Sequence, residues 1–264
     1  MSAARVAILG GSSAFTPALA AALAARAADL PELDVALYGR RAARAELVAR
    51  VCAAQARAAG APHRYAGTAS LPAALEGARV AVLQVRVGGW AGRAYDESFP
   101  LAAGVPGDET IGPGGLAAAL RSAGAVRGLA EEVVARTDGA WLVQMTNPMG
   151  ILLHALAGVP GLRAFGLCEL PGVVLRRALD AAGVERDAAL EVDYAGLNHQ
   201  GWFTRVARAG RPVPGVATPL PLPYLELYTA RAERLAGLRG RARTRGAELA
   251  ALDDELFASY ARAV

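Results

Sequence analysis

Not one lysine occurs in the 264 residues: all 28 basic side chains are arginine. That absence removes the phosphate-binding lysine of a P-loop, Schiff-base chemistry and pyridoxal-phosphate catalysis together. Cysteine is nearly as scarce, and Cys52 and Cys168 are too few for a disulfide framework; a reducing, cytoplasmic setting is expected. Charge of one sign is also missing. The formal net charge is only +4, the arginines are scattered, and aromatic residues make up 6% without basic residues interleaved among them. Nucleic acid is therefore not an expected partner. No basic, apolar and small-residue leader opens the chain and no apolar run approaches bilayer length, so no membrane association is expected.

What is present is apolar: 54% of the residues are hydrophobic, enough for one large or two modest domains. The organising stretch is the opening, Arg5 to Pro17. A β-branched and aliphatic run, Val6 to Leu9, breaks at Gly10-Gly11-Ser12-Ser13 and enters an alanine-rich helical pattern with Pro17 in its first turn. Strand, tight turn and helix place backbone N–H groups at a helix N-terminus, where a pyrophosphate can sit. Because the spacing is not G-x-G-x-x-G, a plain strand-to-helix connection remains open from these residues alone.

The pattern then alternates strand and helix. A helix at about 16–28 leads to a strand at Pro31 to Tyr38, followed by Gly39-Arg40-Arg41 where NAD-binding folds usually carry an acid; Arg40 there suits either a 2′-phosphate or plain solvent. An amphipathic helix at about 41–59 holds Cys52 as a small buried side chain, and 71–75 reads as a short helix. A buried strand, Arg79 to Val87, delivers Gln84 and Arg86 at its end. Residues 88–115 read as a long glycine-rich loop, and a helix at 116–136 returns to the strand Trp141 to Met145. Asn147-Pro148 follows; Asn147 either caps a helix or faces the same crevice as Arg86. A short strand from Arg163 ends in Cys168 and Glu169, and Glu191 to Phe203 alternates as an antiparallel strand bent at Asn198-His199. Residues 209–223 form a Pro- and Gly-rich connection, and 223–228 and 244–264 read as helices. The last carries an apolar stripe, Leu249, Leu252, Leu256 and Phe257, that needs a partner surface.

The expected fold is α/β: a Rossmann-like doubly wound parallel sheet over 1–165, with a second, shortened α+β substrate and metal domain over 166–264. Cys168 and His199 both follow strands, and a thiolate with an imidazole suits Mn, Fe, Co, Ni or Zn. Read as bare residues, each is more often a buried structural side chain.

The set Gly10-Gly-Ser-Ser-Ala-Phe-Thr-Pro17, Gln84-Val-Arg-Val-Gly-Gly89, Asp96-Glu97, Glu109-Thr-Ile-Gly-Pro-Gly-Gly115, Thr146-Asn-Pro148, Gly166-Leu-Cys168 and Gly196-Leu-Asn-His199 resembles the NAD- and metal-dependent glycoside hydrolases of family 4, an exception to two-carboxylate chemistry. The resemblance covers nearly the whole chain in order. It implies a 6-phospho-glycosidase, of the β-acting kind by the Gln84 to Gly89 and Gly166 to Pro171 segments, with NAD (or NADP) and Mn²⁺ or another divalent ion. Gly10, Gly11 and Ser13 would hold the pyrophosphate, Cys168 and His199 the metal, and Asn147 and Arg86 the sugar, Arg86 at its 6-phosphate. The implied reaction oxidises C3, removes the C2 proton, eliminates the aglycone, adds water and returns the hydride. Glu169 is the implied acid, and the implied base is a tyrosine after the Gly-Leu-Asn-His segment, Tyr224 or Tyr228. Ser12 stands for a family glycine, Asp108 for a glutamine, and Glu169 for Asn or Asp. The chain ends before family members do, as a truncated or compact form, and a dimer or tetramer is expected. A simple NAD(P)-dependent dehydrogenase and an inactive nucleotide-binding remnant are the other two readings.

Overall fold

The computed structural model describes residues 3–225 and 230–264. Tyr228 lies outside them. Six strands, β1 (Ala4–Leu9), β2 (Leu33–Tyr38), β3 (Arg64–Thr68), β4 (Val80–Leu83), β5 (Trp141–Gln144) and β6 (Arg163–Gly166), form one parallel sheet in the order β3-β2-β1-β4-β5-β6. This is the Rossmann order, whose reversal point lies between β1 and β4. The register pairs Val6 with Val35 on one side and with Val80 on the other.

Period-two alternation distributes the strand residues between two cores. Ala7 and Leu9 join Leu83 and Leu142 under α5 (Gly112–Arg136) and α6 (Met149–Leu156), where Val126, Val133, Leu152 and Leu156 fill the other side. Ile8, Val35 and Leu37 point the opposite way, onto Ala20 of α1 (Thr16–Ala25) and Val48, Ala49 and Cys52 of α2 (Ala42–Ala58). Burying each such Leu or Val contributes about 1.5–3 kcal/mol relative to exposure. Cys52 is a packing residue, and burial pushes its thiol up to about 12.

In the first half of the chain two features differ from the sequence reading. β3 was not foreseen: Arg-Tyr-Ala-Gly-Thr is an edge strand with no buried residue and hence no apolar run to betray it. The segment read as a loop over 88–115 contains a helix, α4 (Gly89–Ala102). Glycines and Pro100 argue against helix locally, but an ion pair from Arg121 on α5 to Asp96, 1% exposed, docks it.

A second sheet follows α7 (Leu170–Ala181). Strands β7 (Leu190–Leu197) and β8 (Gln200–Arg208) form an antiparallel hairpin, extended by β9 (Arg211–Pro212) and β10 (Leu220–Pro221) on β8. Phe203, Val206, Val213 and Leu222 pack there against Leu175 and Leu179 of α7. After a short 3-10 turn (Pro223–Leu225) the chain continues into α8 (Arg231–Arg239) and α9 (Arg245–Ala263). Helix α9 begins at Thr244, whose side chain accepts from the Ala247 N–H at 3.2 Å, and runs back to the first sheet's periphery.

There the apolar stripe of the last helix finds its partner within the chain. Leu249 is buried, Phe257 packs against the α1/α2 core under the Arg44 guanidinium at 3.5 Å, and Tyr260 donates to Ala14 O at 2.7 Å. Only Leu252 of that stripe is exposed, at 38%, so the stripe lends no support to a dimer or tetramer. Among the described residues no helix is long and apolar enough to cross a membrane.

Gly10 closes β1 with φ 95°, and a Cβ there would lie 2.5 Å from Gln84 O. Gly10→Ala therefore combines left-handed strain with a backbone clash. It is expected to lower unfolding stability by about 2 kcal/mol or more, read from urea denaturation with an unchanged slope.

Candidate functional site

In a parallel sheet all the strand ends that can carry ligands fall on one edge. Here that edge is formed by Gly10 after β1, Gly39-Arg40 after β2, Gln84 to Arg86 after β4, Thr146-Asn147 after β5 and Leu167-Cys168 after β6. Side-chain hydrogen bonds lock the central ends together. Thr146 Oγ1 accepts from the Val85 N–H at 3.0 Å and donates to Leu83 O at 3.3 Å, and buried Gln144 accepts from the Thr146 N–H at 2.9 Å.

At the first turn the two glycines shape the chain instead of offering donors. The N–H groups of Gly10 and Gly11 both point to Tyr38 O, at 3.1 and 2.9 Å, which bolts the turn to the end of β2. Ser13 Oγ accepts from the Phe15 N–H at 3.2 Å. Among the described residues nothing accepts from the N–H of Ser12 or Ala14. Those two donors, not those of the expected glycines, are free to meet a pyrophosphate.

Asn147 does not cap α6. Its Nδ2 donates to Thr110 Oγ1 at 2.7 Å and to Glu109 O at 3.4 Å. Arg86 reaches the same segment: Nη1 lies 2.5 Å from Glu109 Oε2, and its guanidinium stacks over Trp90 at 4.5 Å. Glu109 is shared with Arg93 at 2.7 Å. Arg86, Arg93, Glu109, Arg121 and Asn147 thus line one small cavity beside the sheet edge. A larger one, about 720 Å³, is walled by Arg93, Asp108, Tyr224, Arg241, Arg243 and Arg245. Within the segment Glu109 to Gly115, the structure makes Glu109 and Thr110 the links between Asn147 and Arg86.

Cys168 and His199, 31 positions apart, meet: Sγ lies 3.2 Å from Nε2. The hairpin accomplishes this. Gly196 and Gly201 pair across it, a Cβ at Gly196 would lie 2.4 Å from Gly201 Cα, and the connecting His199 takes φ 64°. A non-glycine residue in that region is costly and clusters at functional positions.

His199 is 8% exposed, and burial pushes it down to about 4, so the ring is neutral at neutral pH. Its Nδ1 is buried without a hydrogen-bond partner among the described residues. The contrast with His63 is direct: that buried ring accepts from the Leu33 N–H at 3.3 Å and lies 3.3 Å from Leu23 O through its other nitrogen. A structural histidine is satisfied at both nitrogens, whereas His199 presents a neutral ring to a sulfur. A soft sulfur and a neutral nitrogen at this separation fit adjacent positions on a divalent transition ion, with a ligand angle near a right angle for ordinary bond lengths. Among the described residues no group of three His, Cys, Asp or Glu forms a closed metal cage, so an ion held here keeps positions open for ligand oxygens.

Tyr224 packs its ring against that of His199, with centroids 4.5 Å apart and planes tilted by 53°. Burial pushes its phenol up to about 12, the charges of Asp108 and Glu109 add to the rise, and Thr110 and Arg93 oppose it. Glu169, next to Cys168 at the start of α7, is exposed, and its carboxylate makes no hydrogen bond or ion pair with a described residue. Arg40 is likewise exposed and free among the described residues.

A glycine turn and a thiol–imidazole pair thus stand at the same edge of one Rossmann sheet. Residues 5–183 match the model of the family 4 glycosyl hydrolases. The chain belongs to that family. Maltose-6′-phosphate glucosidase of Bacillus subtilis (strain 168) is 31% identical over 76% of this chain and 45% of its own length. A probable 6-phospho-β-glucosidase of the same organism is 34% identical over 74% of this chain and 45% of its own. The 6-phospho-β-glucosidase of Thermotoga maritima, solved with manganese, NAD⁺ and glucose-6-phosphate, superposes with a TM-score of 0.85 at 26% identity, over 97% of this chain and 67% of that one. The chain spans about half the length of the curated relatives it matches.

Proposed function

We propose that this family 4 chain carries the dinucleotide and metal centre of a 6-phospho-glycosidase, acting on 6-phospho-β-glucosides. The observation that carries the reading is the 3.2 Å approach of Cys168 Sγ to His199 Nε2. When bound, a nicotinamide supplies a hydride acceptor and a divalent ion supplies Lewis acidity toward a sugar carbonyl.

Residues 1–165 would carry the dinucleotide and residues 166–264 the metal and part of the sugar site. Gly10 and Gly11 let the pyrophosphate approach, and the Ser12 and Ala14 N–H groups with Ser13 donate to it. Cys168 and His199 orient the ion, and Asn147 holds a sugar hydroxyl while its own position is set by Thr110. Arg86, half engaged by Glu109, meets the 6-phosphate, and remote binding energy of this kind positions the reacting carbons. Tyr224, the tyrosine beside His199, would take the C2 proton as its phenolate, having first given its own phenolic proton to solvent. Glu169, exposed beside Cys168, would serve the leaving group.

β specificity draws on the 34% identical relative, while the 31% identical maltose-6′-phosphate glucosidase supports the α-linked alternative. Both anomers of p-nitrophenyl 6-phosphoglucoside, offered with dinucleotide, Mn²⁺ and reductant, test the reading. Nitrophenol release from the β anomer, dependent on all additions and without net NADH, is expected. Stoichiometric NADH accumulation would instead assign a dehydrogenase, and dinucleotide binding without release from either anomer an inactive remnant.

A further inference from the structure

The dinucleotide reading leaves open which dinucleotide, and the end of β2 answers it. In this fold the adenosine ribose lies at that strand end, where a carboxylate selects the 2′-hydroxyl of NAD and an arginine accommodates the 2′-phosphate of NADP. Here the position is held rigidly against the pyrophosphate turn, because Tyr38 O accepts from both Gly10 and Gly11.

Three observations at that point agree. No acid occurs from Gly39 to Ala45. An acid could not be placed at 39 in this packing, since a Cβ there would lie 2.4 Å from the Cβ and Oγ of Ser12. The serine at position 12 thereby excludes the carboxylate that would select NAD, while its own hydroxyl stands at the same spot. Arg40 and Arg41 are both exposed, and neither guanidinium forms a hydrogen bond or ion pair with a described residue. Arg44 is different: it is committed to Asp253 and to the Phe257 ring. Two arginines with unpaired guanidinium groups, among the described residues, therefore follow the strand end at which this fold places the ribose.

We propose that this chain prefers NADP(H) over NAD(H), with Arg40 and Arg41 gripping the 2′-phosphate and Ser12 Oγ donating to it. A phosphate monoester carries close to two negative charges near neutral pH and offers acceptors that match the guanidinium fork. The inference rests on the dinucleotide-binding reading of the Gly10 to Pro17 turn.

Calorimetric titration of the full chain with NADP⁺ and NAD⁺, without metal or sugar, tests it. NADP⁺ is expected to bind at least tenfold tighter, and 2′,5′-ADP tighter than 5′-AMP by a similar factor. Arg40→Ala with Arg41→Ala should remove that advantage and leave NAD⁺ affinity within twofold. Ser12→Gly with Gly39→Asp should reverse the preference. Equal or tighter binding of NAD⁺ to the unaltered chain, or equal losses for both dinucleotides in the arginine variant, would overturn the proposal while leaving the dinucleotide reading in place. Failure of both dinucleotides to bind would overturn both.

Discussion

Serine in place of Cys168 is expected to cut metal-dependent turnover by on the order of 100-fold or more, because losing a metal contact costs at least what losing its outer supports does. A neutral hydroxyl is a far weaker ligand than a thiolate for a borderline or soft divalent ion. Dinucleotide affinity should remain within about twofold, because the pyrophosphate turn lies at the end of β1, while Cys168 follows β6 at the far side of the sheet. Sγ is half-buried and has one hydrogen-bonding neighbour, His199 Nε2, so the isosteric change leaves the fold in place. Steady-state turnover across a Mn²⁺ titration, together with dinucleotide binding, separates the two effects. Full turnover in the variant would remove the metal assignment.

The second large effect is on stability. Arg121→Met is expected to lower it by about 3–5 kcal/mol, the range for stranding one partner of a buried pair. Asp96 is 1% exposed, and Arg121 grips both its oxygens, Nη1 at 3.0 Å, while Nε donates to Val87 O at 3.0 Å. These bonds tie α4 and α5 to the chain leaving β4, on which Arg86 stands. Adding Asp96→Leu should recover a large part of the loss, since an apolar pair of similar size leaves no buried charge unpaired. Urea unfolding of the two variants measures both values. Equal loss in single and double variants would mean that packing, not charge, holds this joint.

How far the sequence carried these conclusions depended on what each segment buries. Strands β1, β2, β4 and β5 lie inside the sheet, and their apolar runs were legible at once. The edge strand β3 buries nothing and was invisible. Helix α4 defied local propensity, with Gly89, Gly92 and Pro100 inside it, because its order comes from tertiary contacts: the Asp96 pair and the Gly246 N–H donating to Glu97 at 2.7 Å. The last helix was legible as a helix, but its stripe was assigned to another copy because no sequence pattern announces that a chain will fold back 200 residues.

At the site, residue types alone could not raise Cys168 and His199 above ordinary core residues; the motif set and its order did. The structure adds what those motifs lacked. It provides the orphaned Nδ1, the strained φ of His199, the Ser12 and Ala14 donors, and Thr110 as the partner that takes Asn147 away from a capping role.

The central claim is that Cys168 and His199 hold one ion between them. X-ray absorption on the full chain loaded with Co²⁺ tests this most directly. One sulfur and one imidazole nitrogen are predicted in the first coordination shell, the sulfur vanishing in the Cys168→Ser variant. A shell of oxygens alone, unchanged by that substitution, would contradict the account.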